Sequence, residues 1–260
     1  MRKFVVLAAL IAPLAGCAPG EGVDDLSSLS HIHNIVLSEG RVLVASHEGL
    51  FTASEDGRWG RIGDEFDVMA LTDVEGILLA SGHPGPGFNF PDPVGLLASS
   101  DGGETWEAKS LVGEVDFHLL EASGPTVFGV AANYGVLLKS TDSGSTWSSL
   151  EVPSMTDLAV NPTNSESVAL ATETGLHVST DGGTSFRLIR TAVKPQLLDW
   201  STLGLFGATE DSVWRWNEDV EEWNLIQDGF GAIQGLTSSL GNVAVLDGRA
   251  ISSFHVSALE

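Results

Sequence analysis

The chain contains seven histidines, and five of them fall in two series of polar residues that also hold carboxylates. His31 and His33 flank Ile32, Asp116 and His118 flank Phe117, and Glu65 and Asp67 flank Phe66. In a strand, residues two apart project to one face, so each polar pair points the same way. A second series, read back from a shared turn, is His47, His83, Asn133, Glu173, Glu210 and Asp247. Every member is polar and follows an otherwise apolar stretch. Neutral imidazole beside carboxylate suits a divalent transition metal: zinc, copper, nickel or iron. His31, His33, His47, His83 and His118 are therefore the candidate metal ligands. Asn133, Glu173, Glu210 and Asp247 are candidate ligand-binding positions. Any one of these histidines is better read as bonding to its neighbours and water; the metal expectation rests on the set.

Glu65, Asp67 and Asp116 are also candidate catalytic carboxylates. A glycoside hydrolase uses two such groups, and their separation decides its mechanism. Sequence gives no separation. Sialidase chemistry further needs an arginine cluster for the substrate carboxylate and a tyrosine nucleophile. The single tyrosine is Tyr134. Beyond the amino terminus the arginines are Arg41, Arg58, Arg61, Arg187, Arg190, Arg215 and Arg249, several of them beside turns that face away from the polar set. That constellation is not evident, and whether the chain is an enzyme stays open. A binding or scaffolding module is the preferred expectation; a glycoside hydrolase is the alternative.

These residues need strands to carry them, and the chain supplies strands with a period. Ser99-Ser100-Asp101-Gly102-Gly103-Glu104-Thr105-Trp106 is followed by Ser140-Thr141-Asp142-Ser143-Gly144-Ser145-Thr146-Trp147. Ser179-Thr180-Asp181-Gly182-Gly183-Thr184-Ser185-Phe186 is the third copy. The aspartates stand 41 and 39 residues apart, and a shortened copy, Ser54 to Trp59, precedes the first by 45. A worn relative ends at Trp223, after Trp214-Arg215-Trp216. The chemistry is that of a hairpin turn: the carboxylate accepts N–H groups, and glycine takes positive φ. The closing aromatic is expected inside a blade, buried. Around the turns lie short apolar or alternating runs; in the second unit these are 66–72, 76–81, 95–100 and 106–110. Four strands per repeat of about 40 residues predict an all-β propeller. Strand sets begin near His31, Glu65, Val115, Ser154, Lys194 and Gly231, which gives six blades. The last shows about three strands, and the segment before His31 is expected to supply its fourth. A first strand lines a propeller's channel, so both polar series should ring one mouth. The loop 84–93, with Phe88 and Phe90, is expected at that mouth.

The S-x-D-x-G-x-x-[WF] pattern resembles the Asp-box, or BNR repeat. With His31-Ile32-His33, 44–51, 79–84 and 116–118, the chain is similar to bacterial Asp-box lipoproteins of the glycosyl-hydrolase-like or exo-α-sialidase-like kind, which share features with sortilin-type propellers. The similarity is close over 30–186 and loose beyond. It implies a propeller at the cell surface and, by fold alone, a glycan-directed activity.

The amino terminus carries an export signal. Arg2 and Lys3 precede an apolar run from Phe4 to Leu14, too short for a stable membrane span. Leu14-Ala15-Gly16-Cys17 is similar to a lipobox. Cys17 is the only cysteine, so lipidation at Cys17 is expected and an intramolecular disulfide is excluded. The organisation expected is a signal peptide over 1–16, a lipidated cysteine with a flexible tether over 17–30, and one propeller over 31–260. The product would be exported and lipid-anchored on the outer face of a bacterial membrane. A formal net charge of −23 argues against nucleic acid as a partner. The expected partners are the membrane through its lipid and a metal, glycan or protein ligand, with the chain a monomer.

Overall fold

A computed structural model of the chain describes residues 23–54, 57–248 and 250–257. Cys17 and the expected signal peptide lie outside the described residues. Blade one holds β1 (Ile32–Ser38), β2 (Arg41–Ser46), β3 (Gly49–Ala53) and β4 (Trp59–Ile62). Blade two holds β5 (Phe66–Val74), β6 (Ile77–Pro84), β7 (Leu96–Ser99) and β8 (Glu107–Ser110). Blade three holds β9 (Phe117–Ser123), β10 (Thr126–Ala131), β11 (Val136–Ser140) and β12 (Ser148–Leu150). Blade four holds β13 (Asp157–Val160), β14 (Val168–Thr172), β15 (Gly175–Ser179) and β16 (Arg187–Ile189). Blade five holds β17 (Leu197–Ser201), β18 (Gly204–Ala208), β19 (Ser212–Asn217) and β20 (Glu222–Asp228). Blade six holds β21 (Ile233–Ser239), β22 (Asn242–Asp247) and β23 (Ala250–His255). Each blade is an antiparallel meander, and the six form the propeller that the 40-residue period predicts.

The first strands β1, β5, β9, β13, β17 and β21 meet one another in a closed circle around the channel. Side chains reach between these strands to backbone groups of the next blade. Asn34 Nδ2 donates to Leu71 O at 2.9 Å, Phe117 N to Ser81 Oγ at 3.2 Å, and Leu198 N to Asp157 Oδ2 at 2.7 Å. The ring closes the same way, with Leu37 N donating to Thr237 Oγ1 at 3.0 Å. Inner-strand N–H and C=O groups that no sheet pairs with are thereby satisfied.

Among the described residues blade six has three strands. Residues 23–30, the described part of the segment before His31, do not pair with it. Val23 instead pairs with Trp59 at the outer edge of blade one, through N···O distances of 2.7 and 3.0 Å. Residues 23–30 are also not a free tether. Leu26 and Leu29 are buried against Ile35, Val44, Phe51 and Leu246, in the seam where blades six and one meet.

The three Ser-x-Asp turns make one set of bonds. Ser99, Ser140 and Ser179 each donate through Oγ to the aspartate two residues on, at 2.7–2.8 Å. Each aspartate accepts a backbone N–H four residues on, at 2.8–2.9 Å. It also accepts that residue's hydroxyl, at 2.6–2.7 Å. The hydroxyl and N–H bonds hold Asp101, Asp142 and Asp181 at a pKa of about 2. Trp106 and Trp147 pack on a phenylalanine of their own blade and also across the seam to the blade before. Trp106 is buried with Leu43, Leu50 and Ile62 of blade one and meets Phe66 edge-on at 5.6 Å. Trp147 and Phe186 are half-buried at the next two seams, not fully buried as the sequence predicts. Gly144, in the turn before Trp147, has φ +82° and lies on Leu96 of blade two, where a Cβ would come within 2.2 Å of that side chain.

Candidate functional site

The meander puts the start of each first strand and the end of each second strand on one face of the ring. Both polar series fall there, around the mouth of the channel. They do not form an even ring. The convergence is confined to blades one to three.

His33 and His118 share a local device. Ile32 pairs with Ser46 and Asn34 with Ala45, so His33 is a bulged residue without a partner. Phe117 pairs with Ala131 and Leu119 with Val130, so His118 is bulged at the matching position. A bulge turns its side chain away from the regular alternation, and here it brings His33 to Asp67 of the next blade and His118 to Asp116 of its own blade and His83 of the blade before. Ile32, Phe66 and Phe117 hold the neighbouring positions; the two phenylalanines are fully buried and anchor their strands.

Two groups result, each with two histidines and one aspartate. In the first, Asp67 of blade two stands between two histidines of blade one. Its Oδ1 lies 3.0 Å from His33 Nε2 and its Oδ2 lies 2.6 Å from His47 Nδ1. The imidazole ring of His31 is centred 4.7 Å from that of His33 and 5.5 Å from that of His47. His33 Nε2 and Asp67 Oδ1 are both buried and face each other as an ion pair. Burial lowers the pKa of His33, and the nearby His47 and His31 add to this against the opposing charge of Asp67.

In the second group, His118 Nε2 lies 2.8 Å from Asp116 Oδ2, and His83 Nε2 lies 3.7 Å from Asp116 Oδ1. Asp116 Oδ1 is buried and has no hydrogen-bond partner. The other nitrogen of His83, Nδ1, lies 2.6 Å from Asp92 Oδ1. For His83, burial works downward but is outweighed by the hydrogen bond to Asp92 and by the charges of Asp116, Asp92 and Asp67, so its pKa is raised. Gly82 makes this placement possible. Its α-carbon lies against the carbonyl of Asp67, and a Cβ would come within 1.8 Å of that oxygen. Only glycine lets β6 run this close before it delivers His83.

The loop 84–93 acts differently from expectation. Phe88 does not overhang the mouth: it is buried and stacks on Phe66, centroids 4.5 Å apart and planes 7° apart. Phe90 packs on Phe88 at 4.6 Å. The loop's contribution to the mouth is Asp92.

The remaining candidates lie on the same face but do not converge. Asn133 Nδ2 donates to Glu114 O at 2.9 Å and its Oδ1 accepts Asp116 N at 3.3 Å, which fixes the start of blade three. Asp247 accepts Gly231 N at 2.8 Å. Glu173 and Glu210 are exposed. Glu65 is held by Arg61 at 2.7 Å, and Tyr134 is exposed beside Asn133.

Below the mouth runs a cavity of about 460 Å³, lined by His33 and His118 at one end and by Glu39, Gly76 and Leu240 at the other. Glu121, Asp157 and Asp199 line it midway. Sequence reasoning misses them. Burial raises all three pKa values, to about 7 for Asp157 and Asp199, and the other two carboxylates push Glu121 further up. The signal that could find them is an acidic residue inside an apolar inner strand, as in Leu198-Asp199-Trp200.

No protein-family model and no curated protein matches the chain. Solved structures do resemble it. The extracellular domain of a B. thetaiotaomicron one-component system matches 93% of this chain and 34% of that one, at 13% identity and a TM-score of 0.59. YCF48 bound to D1 peptide matches 94% of this chain and 84% of that one, at 17% identity and a TM-score of 0.56. An ancestral GH74 enzyme matches 92% of this chain and 36% of that one, at 14% identity and a TM-score of 0.50. The chain thus spans about a third of the first and last of these. At such identities the likeness is one of fold. Among the described residues no helix is long and apolar enough to cross a membrane.

Proposed function

We propose that this chain is an exported, lipid-anchored propeller that binds a divalent transition metal at the channel mouth, through His83, Asp116 and His118. The observation that carries the reading is the pairing of His83 with Asp92. A metal-bound histidine normally gives its second ring nitrogen to a carboxylate, which fixes ring and tautomer. Asp92 does this at Nδ1. The free Nε2 then faces Asp116 Oδ1, a buried oxygen without a hydrogen-bond partner. Two ligand atoms of a tetrahedral zinc with bonds of about 2.0 Å lie roughly 3.3 Å apart. Here His118 Nε2 and His83 Nε2 lie 2.8 and 3.7 Å from the two oxygens of Asp116, and one donor atom from each of the three residues lies within 4.8 Å of the others. Two imidazoles and one carboxylate leave coordination positions open for an exchangeable ligand.

Zinc titrated calorimetrically into the folded protein tests the reading. The expected result is saturable binding that His83→Ala or His118→Ala removes while the melting temperature holds. Absence of binding at neutral pH overturns it.

The anchor rests on Leu14 to Cys17, and the surface placement on the fold's likeness to an extracellular domain. The kinship with Asp-box, sortilin-type propellers rests on the three in-register turns. The hydrolase alternative has less support. Asp67 and Asp116 are engaged by histidines and Glu65 by Arg61, whereas a glycosidase needs one carboxyl poised to protonate a leaving group. A glycan or peptide remains a reading for what occupies the metal's open positions.

A further inference from the structure

We propose that the channel below the mouth is itself a binding site, and that it takes a linear organic cation: an alkyl chain carrying two or more ammonium groups. The proposal stands on residues other than the metal ligands of the mouth and does not depend on a bound metal.

The channel is acidic along its length. Glu121, Asp157 and Asp199 line its middle, Asp73 and Glu39 line it towards the far end, and no lysine or arginine lines the cavity. Glu121 comes three residues after His118 in β9, and Asp73 six residues after Asp67 in β5. At the rise of a strand these positions lie about 10 and about 20 Å further in. The carboxyls are thus strung out rather than gathered. Among the described residues, only the two groups at the mouth bring three histidine or carboxylate ligand atoms within 4.8 Å of one another. Glu121, Asp157 and Asp199 do not converge that far, so a bare metal ion could not be grasped by all three. An extended cation with several N–H donors matches their spacing. Leu119, Val160, Leu197 and Leu236 line the cavity among the carboxyls, and suit the alkyl segments between ammonium groups.

Glu121 points to an occupant. It is deeply buried and lines the cavity, yet among the described residues no group donates to its carboxyl; its charged neighbours are Asp199 and Asp157, which repel it. The other two have donors. Asp157 accepts Leu158 N and Leu198 N, at 2.9 and 2.7 Å, and Asp199 accepts the hydroxyl of Ser238. A buried carboxyl without a donor costs free energy. Burial also penalises the charged form of Asp157 and Asp199, and holds both at about 7. An ammonium group supplies the missing donors to Glu121 and, by its opposite charge, favours the ionised form of all three.

Spermidine is the probe, titrated calorimetrically into the folded chain after metal has been stripped from it, so that spermidine binding and zinc binding can fail separately. The expected result is a single saturable equivalent, with butylamine, which has one ammonium group, binding far more weakly. Glu121→Gln should lower the affinity about 10-fold or more, the size of one hydrogen bond to a charged group. Glu121 holds no partner in the fold, so this variant should keep its melting temperature. Asp199→Asn retains an acceptor for Ser238 and is a second variant with the same expected loss. Glu107→Gln, at an exposed carboxyl on the outer strand β8, should change nothing. No binding, or unsaturable binding that Glu121→Gln and Asp199→Asn lower no more than Glu107→Gln does, means at most attraction to the net negative charge and overturns the proposal. Magnesium that displaces spermidine at equal concentration would put an inorganic cation in the channel, and overturns it as well.

Discussion

Asp92 Oδ1 lies 2.6 Å from His83 Nδ1, so the loop between β6 and β7 fixes the imidazole that faces Asp116. Asp92 is itself largely exposed, which separates its effect on binding from its effect on folding. Asp92→Ala is expected to weaken zinc binding about 10- to 100-fold, the usual size of an outer-carboxylate loss. The melting temperature should not move. Unchanged affinity would mean that the loop does not orient the ligand.

The seam between blades six and one depends on residues that precede the first blade. Leu26 is fully buried there. Leu26→Ala should cost about 2–5 kcal/mol, as other buried leucine truncations do, read as a lower midpoint in urea unfolding with an unchanged slope. A variant as stable as the parent would show that 23–30 only rest on the propeller.

Gly144→Ala tests the inter-blade role of the turns. It adds a Cβ within 2.2 Å of Leu96, at φ +82°. Strain and overpacking together should destabilise by more than about 1 kcal/mol. Gly40→Ala has the same backbone strain at φ +79° and no atom within 4 Å, so it should cost less. Equal losses at the two positions would remove packing from the explanation.

The carboxyls of the channel set a pH dependence. Asp157 and Asp199 have folded values of about 7, raised by burial from the ordinary 3.8 of an aspartate in water. Between these values the folded state binds more protons than the unfolded one, so stability falls as pH rises from about 4 to about 7. His33 opposes this: its lowered pKa makes the folded state release its proton first, a contribution lost as pH falls. The turn aspartates act lower, losing their contribution as pH drops from 3.8 towards about 2. Asp199→Asn should flatten the decline between pH 4 and 7 in thermal melts. A decline as steep as the parent's would place its cause elsewhere.

These tests also mark how far sequence reaches. The turns are legible because each is fixed by bonds spanning at most four residues, which a short pattern encodes. Their spacing gives the period, and the blade number follows from counting strand sets at that period. That His31 and His33 share a face follows from strand alternation. Which histidine meets which aspartate does not, because His33–Asp67 and His83–Asp116 are contacts across seams, and the bulges at His33 and His118 have no local signature. Phe88 is misplaced by sequence for a related reason. A Pro- and Gly-rich loop reads as exposed, and only the ring of Phe66 in the folded blade gives it a surface to stack on. Leu26 and Leu29 read as part of a tether because the surrounding Gly, Ser and Asp hide two apolar residues that need a tertiary partner.

The most direct test is anomalous diffraction at the zinc edge from crystals grown with zinc. The account predicts a peak about 2.0–2.2 Å from both His83 Nε2 and an oxygen of Asp116, with His118 completing the set and Asp92 still bonded to His83 Nδ1. A mouth without anomalous density under saturating zinc, or density that appears only at outer-surface carboxylates, would contradict it.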